Sequence, residues 1–96
     1  MDELYQAEWC PHSRRVRQRF TELGVSFVAR PVPVERADRE ELRRKTGGDQ
    51  IPALLLEDGR TINGDADEII AYLDQRYSER ADAQQHRDRA EEHDGM

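Results

Sequence analysis

The chain has 96 residues, of which 35% are apolar and 38% charged, with a net charge of −6 at neutral pH; that is the length of one domain with one modest core. The acidic balance argues against general binding to nucleic acid or to an anionic membrane surface, and no stretch approaches the ~20 apolar residues of a membrane span. A single cysteine rules out an internal disulfide. The opening MDELYQAEW has neither the basic nor the apolar region of a signal peptide, so a reducing, cytoplasmic setting is expected.

In chain order, Leu4-Tyr5-Gln6-Ala7 is the first expected strand. Trp9-Cys10-Pro11-His12-Ser13 then opens a helix, with Pro11 in a first turn where a missing N–H costs nothing. Val16, Phe20 and Leu23 recur at helical spacing and form its apolar face. Arg14, Arg15, Arg17 and Arg19 cover the other faces and read as a solvated surface, and Gly24 is a natural stop. Val25 to Ala29 is rich in β-formers and is expected as a second strand, closed by Pro31 and Pro33. Residues 36–46, RADREELRRKT, are expected as one polar helix ended by Gly47-Gly48.

Ile51 to Leu56 is a nearly continuous apolar run, the pattern of a strand buried on both faces. Glu57-Asp58-Gly59-Arg60 turns the chain, and Thr61-Ile62 returns. Asp65 suits an N-cap, and Ile69, Ile70, Leu73 and Tyr77 line one face of a last helix. Residues 78–96 carry six acids and three bases and almost no large apolar side chain. They are expected to extend the helix briefly or to stay disordered, leaving residues 1–77 as the folded unit. The order is β-α-β-α-β-β-α, which implies an α/β fold with a four-stranded mixed sheet flanked by three helices.

The strongest chemical signal is Cys10-Pro11-His12-Ser13 at a strand-to-helix junction. A cysteine just before a helix faces unsatisfied N–H groups and the positive end of the dipole. Both favour thiolate, the nucleophile of disulfide exchange, so the thiol pKa is expected to fall. The arginines of the helix add positive potential. The competing reading is a small buried core cysteine. The second signal is Ile51-Pro52 at the start of the apolar strand, where proline is explicable if its bond is cis and the Ile51 backbone faces a ligand.

Together these motifs resemble glutaredoxins and the N-terminal domain of glutathione transferases. Cys-Pro-x-Ser follows the first strand, Gly-x-x-Ile-Pro precedes the third, and Gly-Asp-Ala-Asp opens the last helix. Thr46 to Pro52 runs without gaps against the glutaredoxin Thr-Gly-x-x-Thr-Val-Pro segment, and Asp65 to Leu73 resembles the transferase Glu-Ser-x-Ala-Ile-x-x-Tyr-Leu. The resemblance covers about residues 3–77 and implies a thioredoxin-like, glutaredoxin-type fold. It further implies glutathione as co-substrate, a cis Pro52, an Ile51 backbone that pairs with the cysteinyl part, and a γ-glutamyl end held at Gly64, Asp65, Ala66 and Asp67. Free N–H groups there suit a carboxylate, and Asp65 or Asp67 suits an ammonium; Asp65 serves equally as a plain N-cap. Trp9, Pro11, His12, Ser13 and Gln50 complete the expected substrate contacts around Cys10.

The sequence departs from the family at several of these positions. Ser13 replaces the second cysteine, so only monothiol chemistry is open. The usual lysine three residues before the cysteine is Ala7, the basic residue before the Thr-Val-Pro is Asp49, and Gln50 stands in the threonine place. Arg14, Arg15, Arg43 or Arg44 are the substitutes the sequence offers for a glycine carboxylate. The transferase serine is Ala66, and the motif is not the Cys-Gly-Phe-Ser of iron–sulfur glutaredoxins. No metal is expected: His12 points to solvent or steadies the thiolate, and His86 and His93 sit in a polar tail without cysteines nearby. Trp9 either flanks a substrate groove or caps the core. The expected activity is reduction of mixed disulfides of glutathione or another small thiol, by a monomer or weak dimer acting on a small-molecule or protein mixed disulfide. The alternative is a glutathione- or thiol-binding regulatory module with little catalysis. A transferase role is weakened by the absence of the helical second domain.

Overall fold

The computed structural model describes residues 1–92, so His93 lies outside the described residues. Strand β1 (Glu3–Gln6) leads into α1 (Pro11–Leu23), β2 (Val28–Pro31), a 3-10 turn (Arg36–Asp38), α2 (Glu40–Thr46), β3 (Ala53–Leu55), β4 (Thr61–Asn63), α3 (Ala66–Arg76) and α4 (Ala83–Glu92). The four strands form one mixed sheet in the order β2-β1-β3-β4. β1 pairs parallel with β2 and antiparallel with β3, and β3 pairs antiparallel with β4. A thioredoxin-like fold is therefore present.

Alternation along the central strands sorts the core into two layers. Leu4 and Leu54 point to one face, where they meet Val16, Phe20 and Leu23 of α1 and Ile69 and Leu73 of α3. Tyr5 and Ala53 point to the other face, against Leu42 of α2. The apolar run at 51–56 is thus buried on both sides, as its composition implies.

Several boundaries differ from the sequence expectation, each for a tertiary reason. β2 begins at Val28, not Val25, because its register is set by β1: Glu3 pairs with Val28 and Gln6 with Pro31. Val25 and Phe27 pack on the core from the preceding loop instead. Pro31 ends an edge strand, where the lost donor costs no ladder bond. The polar helix at 36–46 breaks at Arg39, whose backbone is non-helical (φ −87°, ψ 54°). The Arg39 side chain is only 4% exposed and donates to the carbonyl oxygens of Pro33, Val34 and Asp49 at 2.9–3.0 Å. It ties together the two loops that flank α2.

The tail also departs from expectation. Tyr77 is extended (φ −130°, ψ 151°) and ends α3. The chain then returns to α1, where the Arg80 N–H donates to the Glu22 carbonyl at 2.9 Å. A fourth helix follows. Ala83 is its buried apolar anchor, and charge supplies the rest. Arg87 pairs with Glu22 at 3.0 Å and with Glu79 at 2.8 Å, while Arg19 pairs with Glu22, Asp74 and Glu79. A helix with little apolar surface can dock this way when its charges meet partners that are themselves half-buried. The Arg19 side chain therefore belongs to this interface rather than to a solvated face.

Candidate active site

The site begins where β1 ends. A tight turn joins β1 to α1, closed by the Cys10 N–H donating to the Ala7 carbonyl at 3.1 Å. Cys10 takes extended dihedrals (φ −81°, ψ 117°) as the N-cap of α1, and Pro11 follows at the first helical position. Its Sγ accepts the Ser13 N–H at 3.4 Å, as an N-cap side chain does. The residue is 6% exposed, yet it belongs to neither apolar cluster. The cysteine is thus buried, as a core cysteine would be, but hydrogen-bond donors rather than apolar side chains surround its sulfur.

Ser13 is fully buried beneath it. The Ser13 Oγ accepts the Ala7 N–H at 3.5 Å, which leaves its hydrogen free for the sulfur. Burial pushes the Cys10 thiol up. The Ser13 hydroxyl, the N–H groups of Ser13 and His12, and the Arg17 charge pull it down more strongly, so its pKa lies below that of an ordinary cysteine.

Cys10 opens on a cavity of about 390 Å³ lined by Trp9, Val34, Arg36, Arg39, Gln50 and Ile51. Trp9 is 59% exposed at the rim, so it flanks a groove and does not cap the core. Opposite the thiol lies the Ile51–Pro52 bond, which is cis; Pro52 itself is buried. The Pro52 carbonyl accepts the Gly64 N–H at 2.9 Å, which brings the start of α3 beside this loop. Gly64 has φ +70°, and a Cβ there would lie 2.5 Å from the Gln50 side-chain oxygen. Only glycine lets Gln50 sit against the α3 entry.

The expected contact residues fall into three groups. Trp9, Cys10, Gln50 and Ile51 share the cavity. Pro11, His12 and Ser13 form the first turn of α1, with Ser13 inward and the other two exposed. Gly64, Asp65, Ala66 and Asp67 stand at the start of α3, outside the cavity lining. There Asp65 caps its own helix, accepting the Glu68 N–H at 3.1 Å. Asp67 accepts from Arg15 at 2.6 Å.

Of the four arginines the sequence offers as carboxylate partners, none lines the cavity. Arg15 holds Asp67, and Arg43 donates to the carbonyls of Arg36 and Ala37. The cations of the cavity are Arg36 and Arg39. Nothing in the polar segment 36–46 marks them out, because their placement follows from the break at Arg39. Arg36 also donates to Asp49 at 2.8 Å, and Arg36 is the main reason the Asp49 carboxyl is held below the usual range. Among the described residues no group of three His, Cys, Asp or Glu side chains could hold a metal ion, and no helix is long and apolar enough to cross a membrane.

Residues 4–81 match the family described as glutathione S-transferase, N-terminal domain. Glutaredoxin 3 of Escherichia coli K12 is 34% identical over 69 residues, which is 72% of this chain and 81% of that protein. The chain belongs to the glutaredoxin and glutathione S-transferase N-domain family. Solved structures agree with this placement. A glutathione S-transferase domain-containing protein from Marinobacter aquaeolei VT8 is 30% identical with a TM-score of 0.67 over 79% of this chain. A glutathione S-transferase from Methylobacillus flagellatus KT, solved with glutathione bound, is 28% identical with a TM-score of 0.68. This glutaredoxin-family chain spans 38% and 37% of those two proteins.

Proposed function

We propose that this chain is a monothiol thiol–disulfide oxidoreductase that uses glutathione, with Cys10 as its nucleophile. The observation that carries the reading is the position of the thiol. It caps α1, accepts the Ser13 N–H, and opens on a cavity. The family membership and the glutathione bound to a 28% identical relative support the choice of thiol.

In the reaction, the Cys10 thiolate attacks the glutathione sulfur of a mixed disulfide. The substrate's sulfur leaves as thiolate and takes a proton from solvent, and Cys10 is left in a disulfide with glutathione. A second glutathione thiolate then attacks the glutathione sulfur of that disulfide. Oxidised glutathione departs and the Cys10 thiolate returns. Ser13 cannot resolve the intermediate from within, so the reductant must come from outside. The Ile51 backbone faces the cysteinyl part of the bound thiol, and the α3 entry at Gly64 to Asp67 receives its γ-glutamyl end. Arg36 and Arg39 offer positive charge to its other carboxylate. We assign this work to residues 1–77, treat 78–96 as an appended segment, and expect a monomer or weak dimer in a reducing, cytoplasmic setting.

The test is turnover of the mixed disulfide between glutathione and 2-mercaptoethanol. Wild type is expected to reduce it with glutathione present, and Cys10→Ser is expected to fall to background. A second reading, a non-catalytic glutathione-binding module, draws on the low exposure of Cys10 and on the carboxylates of Asp65 and Asp67, both already engaged within the protein. Saturable glutathione binding without turnover would favour it.

A further inference from the structure

The Ala7 peptide unit joins two side chains of α1 to the thiol turn. Its N–H donates to Ser13 Oγ, and its carbonyl accepts both the Cys10 N–H and Arg17 Nη1, the latter at 3.3 Å. Ser13 and Arg17 lie four residues apart, so they share one face of the helix. That face looks at the β1–α1 turn. Arg17 goes further, donating through Nη1 to the buried Gln6 side chain and through Nη2 to Glu8 at 2.9 Å. One guanidinium thus grips three consecutive residues, Gln6, Ala7 and Glu8, just before the thiol. Its planar fork makes this possible, since a lysine ammonium could not span the same acceptors.

We propose that Arg17 is a positioning residue for Cys10: it clamps the Ala7–Cys10 turn so that the sulfur stays over its donors, and it sets a positive charge beside the thiolate. This rests on the oxidoreductase reading for its purpose, but not for its test. The charges that bear on the sulfur are few. Glu8 lies on the turn and offsets part of the Arg17 charge. His12 is its neighbour on α1, and Arg36 and Arg39 face it across the cavity, with Asp49 bound to Arg36.

The experiment measures alkylation of Cys10 by iodoacetamide as a function of pH, in the full chain, for wild type, Arg17→Met and Arg17→Lys. Alkylation needs no glutathione, so it reads the thiol whether or not the protein turns over a disulfide. Arg17→Met is expected to slow alkylation at pH 6 by about threefold, the order of effect of a partly exposed charge contact, with its pH profile moved upward. Arg17→Lys is expected to fall between, because it keeps the charge and loses the fork. An unchanged profile in Arg17→Met overturns the proposal, as does a lysine variant no better than methionine. If Arg17→Met does not fold, Glu8→Gln replaces it. Relieving the offsetting charge must then speed alkylation at pH 6, and an unchanged or slower rate overturns the proposal. Absent turnover with an intact Arg17 effect would sink the oxidoreductase reading and leave the positioning role standing.

Discussion

Ser13 is where one residue type decides the chemistry. In place of a second cysteine it removes the internal route to a disulfide, and as a buried hydroxyl it serves the remaining sulfur. Its Oγ accepts from Ala7, so its own hydrogen is left free to serve Cys10, whose pKa it helps to lower. Ser13→Ala removes that donor and leaves the Ala7 N–H without a partner. Thiolate absorbance near 240 nm, followed against pH, is expected to titrate higher in Ser13→Ala than in wild type. The unpaired N–H is expected to cost about 1 kcal/mol in urea unfolding. The sign of the pH effect follows from the direction of the Cys10 shift. A thiol held below its ordinary value stabilises the fold most at pH values above the unfolded value, and that contribution fades as the pH falls through the folded one. Ser13→Ala therefore narrows the stability gain on raising pH through the thiol range, and a gain equal to that of wild type would contradict the assignment. The motif already announced Cys10 and Ser13. Their arrangement was not legible, because the hydroxyl's role depends on the Ala7 peptide that the β1–α1 turn brings over it.

At the scale of elements, α4 is the informative case. Its sequence lacks the apolar stripe that makes a surface helix dock, and ten residues are too few to form a stable helix alone. It holds because Glu22, nearly buried on α1 and already paired with Arg19, also accepts Arg87 of α4. Glu79 links Arg87 to Arg19 and completes the bridge. Those two arginines, Arg87 first, hold the Glu79 carboxyl at about 2 against an ordinary 4.5. A depressed carboxylate stabilises above its unfolded value and loses that contribution as pH falls through its folded one. Docking of α4 is therefore expected to be intact above about pH 4.5 and to weaken toward pH 2, and to weaken with salt as exposed charges are screened. Glu79→Gln should loosen the helix at neutral pH. Faster amide exchange over residues 83–92, with β1 and β3 unchanged, is the expected signature; unaltered exchange there would refute the ionic account. The break of the 36–46 segment has a similar origin. Arg39 leaves the helix because three carbonyl oxygens of the loops before and after α2 hold its side chain, two from Pro33 and Val34 and one from Asp49, ten residues on.

For the whole molecule, stability rests on the layer between the sheet and α1 with α3. Phe20 is its largest fully buried side chain and touches Phe27 with ring centroids 4.4 Å apart. Phe20→Ala is expected to cost about 3–5 kcal/mol through lost burial and the cavity left behind. For a domain of this size that lowers Tm by roughly 12–40 °C, measurable by far-ultraviolet circular dichroism. The layer also places the site, since α1 packed on β1 and β3 is what brings Cys10 opposite Ile51 and the cis peptide. The sequence alone determined that layer: the helical recurrence of Val16, Phe20 and Leu23, the two-faced apolar strand and the strand-to-helix cysteine are local patterns, and local patterns survive reading in one dimension. Tertiary structure alone decided the register that moved β2 to Val28, the arginines that line the cavity, and the charges that dock α4. Each depends on partners far apart in the chain, and a hydrogen bond or ion pair leaves no periodic trace in the residues that make it.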